Sequence, residues 1–342
     1  MRIPASSLLA LAVALGVPLW ILASAGAPPP ALPPRGTLAL PAPAPPVGQP
    51  HLRLTIAADR SSYLSGEPIL IDWALFNPEP FPIRITMPDS WYFSFEGVDG
   101  DGKPFVLYRP FVIDTLGGPR FVPLGPRQAY RGWLNLRVDR KGLQDTGSFR
   151  LRALYKVAFV HRLGEKPSEL RVQSNDLRFE VRPPKGAEAA ALEQILKARI
   201  EDLASADQED RESAYGRWSI DVPLCERILT QAKAPRYAAA SALYAGLFEG
   251  SHNADPLGPT EREYLPTALR FLRACVESPG SSPYAKGLAR LHLAICLPGE
   301  QTEASRAEAR KLARGLLKDY PGTAIADQAE QLLQRLDARP RK

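Results

Sequence analysis

The spacing of apolar residues changes once along this chain, and that change fixes what it can fold into. Before about residue 183 apolar residues alternate with polar ones. In SFRLRALYKVAF (148–159), Phe149, Leu151, Ala153, Tyr155, Val157 and Phe159 share one face, and Arg150, Arg152 and Lys156 the other. A period of two is that of a strand with one buried side. From Ala187 the period is helical: AEAAALEQILKARIEDLASA places Leu192, Ile195, Leu196, Ile200 and Leu203 on one stripe. The two periods bury their apolar faces differently, so the sequence predicts two cores, one in 51–183 and one in 187–342, joined at PPKGA.

Two segments precede them. MRIPASSLLALAVALGVPLWILASAGA (1–27) holds one basic residue, Arg2, and the next charge is Arg35. Such a segment reads as an export signal or a membrane anchor. Its apolar run from Leu8 to Ala25 is about as long as a short membrane span, and Ala23-Ser24-Ala25 offers a small-residue cleavage site. Both readings stay open; a retained segment makes the membrane a partner. No cysteine lies near that site, which closes the lipoprotein route. Residues 28–50 carry ten of the chain's 35 prolines and read as a semi-extended linker. The sequence therefore predicts export, to the periplasm or cell envelope.

Eight short strands are expected between 52 and 181: 52–58, 68–76, 82–87, 90–98, 104–108, 129–138, 148–159 and 176–181. Separated by Gly, Pro, Asn and Asp, they predict an antiparallel sandwich. YLSGEPILIDWALFNPEPFPIRI (63–85) and DTGSFRLRALY (145–155) resemble bacterial immunoglobulin-like domains. In the second, Asp145, Gly147 and Phe149 fall where that fold often has Asp-x-Gly-x-Tyr. Phenylalanine removes the hydroxyl of a tyrosine corner, and the segment has no cysteine for an intersheet disulfide.

Seven helices are expected after 187, the later ones at 222–233, 236–249, 262–277, 284–297, 303–319 and 323–338, with connections short enough for a stacked array or bundle. Pro279-Gly280-Ser281 recurs as Pro321-Gly322-Thr323, 42 residues later, each time between two helices. Recurrence of a junction marks a repeat. It resembles the tetratricopeptide-like repeats of bacterial envelope proteins, where a Tyr-Pro-x-Ser/Thr junction precedes an Ala-rich helix. The resemblance implies that Ala309, Leu316 and Leu317 before Tyr320, and Ala326, Ala329 and Leu333 after it, are packing residues, with Phe271 at the aromatic position of the preceding unit. The fold class is thus an all-β immunoglobulin-like sandwich followed by all-α tetratricopeptide-like hairpins.

Signals for chemistry are few. GVDGDGKP (97–104) has P-loop spacing, but Pro104 stands where Ser or Thr must hold magnesium, and a strand follows instead of a helix. Asp-Gly between two strands is a hairpin signal. His292 and Cys296 lie one helical turn apart, yet with Ala285 and Ala289 they form a small-residue stripe that suits close helix packing better than metal or nucleophile chemistry. Cys275 and Cys296, on two arms of a hairpin turning near 280, are offset by about 15 Å along the axis, too far for a disulfide. Three buried thiols are expected, with a bridge through Cys225 left open. No catalytic motif, metal set or cofactor site is legible, and the chain is read as a non-enzyme. Residues 51–184 contain 19 Lys+Arg against 15 Asp+Glu, and residues 185–342 contain 22 against 22. That scatter gives no nucleic-acid footprint.

One surface stands out. In AYRGWLNLRV (129–138), Leu134, Leu136 and Val138 alternate as the buried face and leave Arg131, Trp133, Asn135 and Arg137 on the other. Trp and Arg are favoured at interfaces, so Arg131, Trp133 and Arg137 are candidate partner-binding residues; the competing reading is that the helical part covers Trp133. The functional expectation is an envelope-associated binding or scaffolding protein, with a protein or peptide held by the concave face of the helices. The alternative is a hydrolase, or its accessory module, acting on envelope polymer with the sandwich as binding domain.

Overall fold

The computed structural model describes residues 50–86, 93–106, 121–136, 146–160, 167–205, 222–252, 264–300 and 302–338. Residues 1–27, expected to be an export signal or a membrane anchor, and almost all of the Pro-rich linker lie outside these residues. Among the described residues no helix is long and apolar enough to cross a membrane.

Among the described residues the first half holds ten strands: β1 (Arg53–Ala58), β2 (Ser62–Leu64), β3 (Ile69–Phe76), β4 (Ile83–Thr86), β5 (Phe93–Asp99), β6 (Pro104–Val106), β7 (Phe121–Leu124), β8 (Ala129–Leu136), β9 (Gly147–Val160) and β10 (Ser168–Arg182). They form two sheets. One is β1-β3-β8; the other runs β2-β10-β9-β4-β7, with β5 sharing the same edge of β9 as β4 and β6 pairing with β5. All pairs are antiparallel except β2 with β10.

The alternation read in β9 is the packing observed, since Phe149, Leu151, Ala153, Tyr155, Val157 and Phe159 are all buried. Phe149, without a hydroxyl, stacks on Phe179 at a centroid distance of 5.6 Å. Two strands escaped the sequence reading for identifiable reasons. β2 has three residues, too few to show a period, and β7 contains Pro123, which a sheet tolerates only at an edge and which the terminal position of β7 supplies. β10 begins earlier than expected because a register shift between Gln173 and Asp176 breaks its alternation. There Asn175 accepts from the Ile56 N–H at 2.9 Å and donates to the Ile56 carbonyl at 3.0 Å, tying the two sheets together.

Seven α-helices follow among the described residues: α1 (Ala187–Ser205), α2 (Val222–Gln231), α3 (Pro235–His252), α4 (Leu265–Glu277), α5 (Pro283–Cys296), α6 (Glu303–Asp319) and α7 (Ala324–Asp337). From α2 onward each packs on the next, and α3 with α5 and α5 with α7 also touch. The repeated Pro-Gly junction works differently at its two sites. Gly322 takes φ +74°, the left-handed region where a Cβ is penalised. Gly280 is required for space, because a Cβ there would strike the Pro235 carbonyl. The following helices are capped by Ser282, accepting from the Ala285 N–H, and Thr323, accepting from the Ala326 N–H. The first cap lies one residue further on than the sequence repeat implies.

The cores divide by element. One cluster contains only sandwich residues. A second joins Ala191 and Leu192 of α1 to Leu224, Ile228, Tyr237 and Ala238. The third runs from Cys225 of α2 through to α7 and takes in two residues from strands, Leu70 and Trp133. In α7 the fully buried leucine is Leu332, and Leu333 is half-buried, which shifts the expected packing position by one.

Candidate functional site

The helices form two layers. α2, α4 and α6 lie side by side, linked by ion pairs from Arg270 to Glu226 and from Arg273 to Glu308. α3, α5 and α7 form the other layer, and each of them makes a polar contact with the sandwich.

β3 and β8 are buried on both faces, which explains that seam. Ile69, Ile71, Trp73, Leu134 and Leu136 point into the sandwich core, while Leu70 and Trp133 enter the helical core. Trp133 is 7% exposed and meets His292 of α5 edge-on, with ring centroids 6.4 Å apart. Arg131 pairs with Asp327 of α7 at 3.1 Å. As a docking surface for another molecule these two residues are therefore corrected: the chain's own helices fill the position. Arg137, the third candidate, lies outside the described residues.

Two carboxylates that the sequence reading did not single out hold the seam. Asp72 accepts from the Tyr284 hydroxyl at 2.8 Å and from the Ala324 N–H at 3.0 Å. It thereby satisfies a backbone donor at the N-terminus of α7, where negative charge is favoured. Burial pushes its carboxyl above the ordinary carboxylate range, opposed by those two donors and by Arg131. Tyr284 is correspondingly held protonated, by burial and then by Asp72. Glu67 accepts from Arg60 at 2.9 Å, from the Leu64 N–H at 2.8 Å and from Arg236 of α3 at 2.5 Å. Its carboxyl is also raised by burial, with Arg60 and then Arg236 working the other way. Arg236 donates further to the Ser62 carbonyl at 2.8 Å, and the Tyr237 hydroxyl donates to the Ser65 carbonyl. Asp72 shares the helix-facing side of β3 with Leu70, where it interrupts the apolar run ILIDWALF without marking what its partner is.

The remaining sequence candidates fall to structural roles. His292 is buried and pushed down to about 4 by that burial, so its imidazole stays neutral. Burial raises Cys296 to about 12 and Cys275 to about 11, the latter despite its contact with Ser281. Thiols held this far up are poor nucleophiles. All three cysteines are buried, and none is in a disulfide. The GVDGDGKP segment is the β5–β6 hairpin, in which Asp99 accepts from the N–H groups of Asp101 and Lys103, and Gly102 takes φ +78°. Among the described residues no group of His, Cys, Asp and Glu is placed to hold a metal.

No family model matches this chain, and no curated protein matches it. Solved structures give distant likenesses. One is to a PapD-like domain of human CEP192, at 15% identity and TM-score 0.22, over 45% of this chain and 100% of that one. Another is to alpha-2-macroglobulin from Escherichia coli, at 12% identity and TM-score 0.24, over 84% of this chain and 55% of that one. A third is to Spo0M, a sporulation control protein from Bacillus subtilis, at 11% identity and TM-score 0.23, over 44% of this chain and 55% of that one. None of these assigns the chain to a family.

Proposed function

We propose that this chain is an exported, envelope-associated scaffolding or binding protein. Its immunoglobulin-like sandwich braces a set of tetratricopeptide-like helical hairpins, and the helices hold a protein or peptide partner. The observation behind this reading is the seam. With α3, α5 and α7 engaged by β3, β8 and the turn around Glu67, the helical layer left facing outward is α2–α4–α6, and stacked helix pairs offer such layers as extended binding surfaces. The proposal assigns no reaction and no cofactor to the chain. Export is supported by the near charge-free first 27 residues, which keep their two readings of cleaved signal or retained anchor.

Two experiments test it. A reporter fused after residues 1–50 should cross the membrane, and its retention in the cytoplasm would remove the envelope from the proposal. A photo-crosslinking residue at Arg227 or Thr230, both exposed on α2, should trap a partner in intact envelopes that the same residue at exposed Thr55 of β1 does not. Identical products from both positions, or none from α2, would end the binding reading.

A further inference from the structure

The α6 helix carries a charge imbalance that its own ion pairs leave standing. Each of its acidic side chains is engaged by a different cation: Glu303 by Arg310 at 3.2 Å, Glu308 by Arg273 at 3.9 Å and Asp319 by Arg290 at 2.8 Å. Lys311, Arg314 and Lys318 are exposed, and none of them forms an ion pair with a described residue. Their spacing of three and then four places them on one face of the helix, where neighbours are close enough to interact. Like charges at this spacing repel and cost helix stability. The helix dipole accounts only for Lys318, in the last turn, because its influence fades within one turn of the end. Lys311 and Arg314 have no such compensation.

This face belongs to the layer turned away from the sandwich, and no strand among the described residues packs substantially against α6. The same layer displays Arg227 and Arg270, while its partner acid Glu226 is taken by Arg270. A row of cations on one helix face, with the acidic side chains of that helix already engaged, attracts an extended segment of opposite charge through complementary potential. We propose that the Lys311–Arg314–Lys318 face of α6 is a docking surface for an acidic protein segment, one rich in Asp and Glu. The inference rests on the reading of the helices as the partner-binding part and adds the partner's chemistry to it.

The test uses the full chain and a fluorescein-labelled oligoglutamate peptide as probe. Binding is expected at low salt and should weaken as added salt shortens the screening length. Lys311→Glu with Arg314→Glu and Lys318→Glu should lower affinity by about tenfold or more. The milder Lys311→Gln, Arg314→Gln, Lys318→Gln variant, which adds no new charge to the helix, should show a smaller loss in the same direction. Arg150→Glu with Arg178→Glu, on the far sheet of the sandwich, should leave binding unchanged.

Equal losses in the sandwich and helix variants, or no peptide binding, would overturn the proposal. So would binding to vesicles of anionic phospholipid that is lost with the helix variant while the peptide goes unbound. If crosslinking from α2 traps a partner whose capture the helix variant does not alter, the binding function stands and the acidic-segment inference falls. If the peptide binds as expected but no partner is trapped, the charge surface stands and the native binding function falls.

Discussion

Asp72, in the middle of β3, accepts a hydrogen bond from the backbone N–H of Ala324, the first residue of α7, at 3.0 Å. A strand side chain thus supplies part of the cap of the last helix, and the Tyr284 hydroxyl of α5 donates to the same oxygen at 2.8 Å. Removing it strips two donors at once. Asp72→Ala should cost about 1–3 kcal/mol, the range for leaving buried donors unsatisfied, and Asp72→Asn, which keeps an acceptor, should cost less. Denaturant melts of both variants measure this; an Asp72→Ala protein as stable as its parent would mean the seam is not a stabilising contact.

The seam carboxylates also give stability a pH dependence of definite sign. Burial raises the carboxyls of both Asp72 and Glu67 in the folded chain, so the folded state holds protons that the unfolded state has released. Their contribution is therefore complete below the ordinary carboxylate values of about 4 and is lost as pH rises through the raised folded values. The urea midpoint should fall across that window, and Asp72→Asn should flatten part of the slope. A profile identical in parent and variant would contradict the assignment to Asp72.

Packing of the last helix makes a graded prediction. Leu332→Ala should cost about 2–5 kcal/mol, as expected for a fully buried leucine; the half-buried Leu333→Ala should cost less, and exposed Gln334→Ala should stay within about 0.5 kcal/mol. Thermal melts that rank Leu333 above Leu332 would place the helix in a different rotation about its axis.

Asn77 is the polar residue most deeply fixed in the sandwich. It is fully buried, and its side-chain amide donates to the carbonyls of Phe81, Leu124 and Gly125 at 3.0, 3.1 and 3.0 Å. Asn77→Ala would leave these acceptors short of a donor. A loss of at least about 1–3 kcal/mol is expected, read as a lowered denaturant midpoint with an unchanged slope.

The cysteines make a chemical prediction. With Cys275 and Cys296 buried and their thiols pushed up to about 11 and about 12, and Cys225 buried as well, a thiol reagent at neutral pH should react slowly with the native protein and with three thiols after unfolding. Fast labelling of a native cysteine would mean that its site opens.

Local pattern determined a large share of this protein. The period of two in β9 and the period of 3.6 in α4 to α7 each select one face for burial, and that selection needs no knowledge of the rest of the chain. The Asp-Gly hairpin at 99–102 and the Pro-Gly junction at 321–322 were legible for the same reason: they answer to backbone conformation within a few residues, whereas Gly280 makes room for the distant Pro235 carbonyl. What escaped was non-local. A one-residue offset between Leu332 and Leu333 depends on how α7 is rotated against α5 and α6. Trp133 and Arg131 looked like an interface because interface chemistry is what they provide, and only the folded chain decides that α5 and α7 are the other side of it. Asp72 and Glu67 gave no sequence signal of their roles, since their partners Ala324, Tyr284 and Arg236 lie between 169 and 252 residues away. Periodicity fixes which face of an element is apolar, but the choice of what covers that face is made by packing, where contacts between distant residues compete.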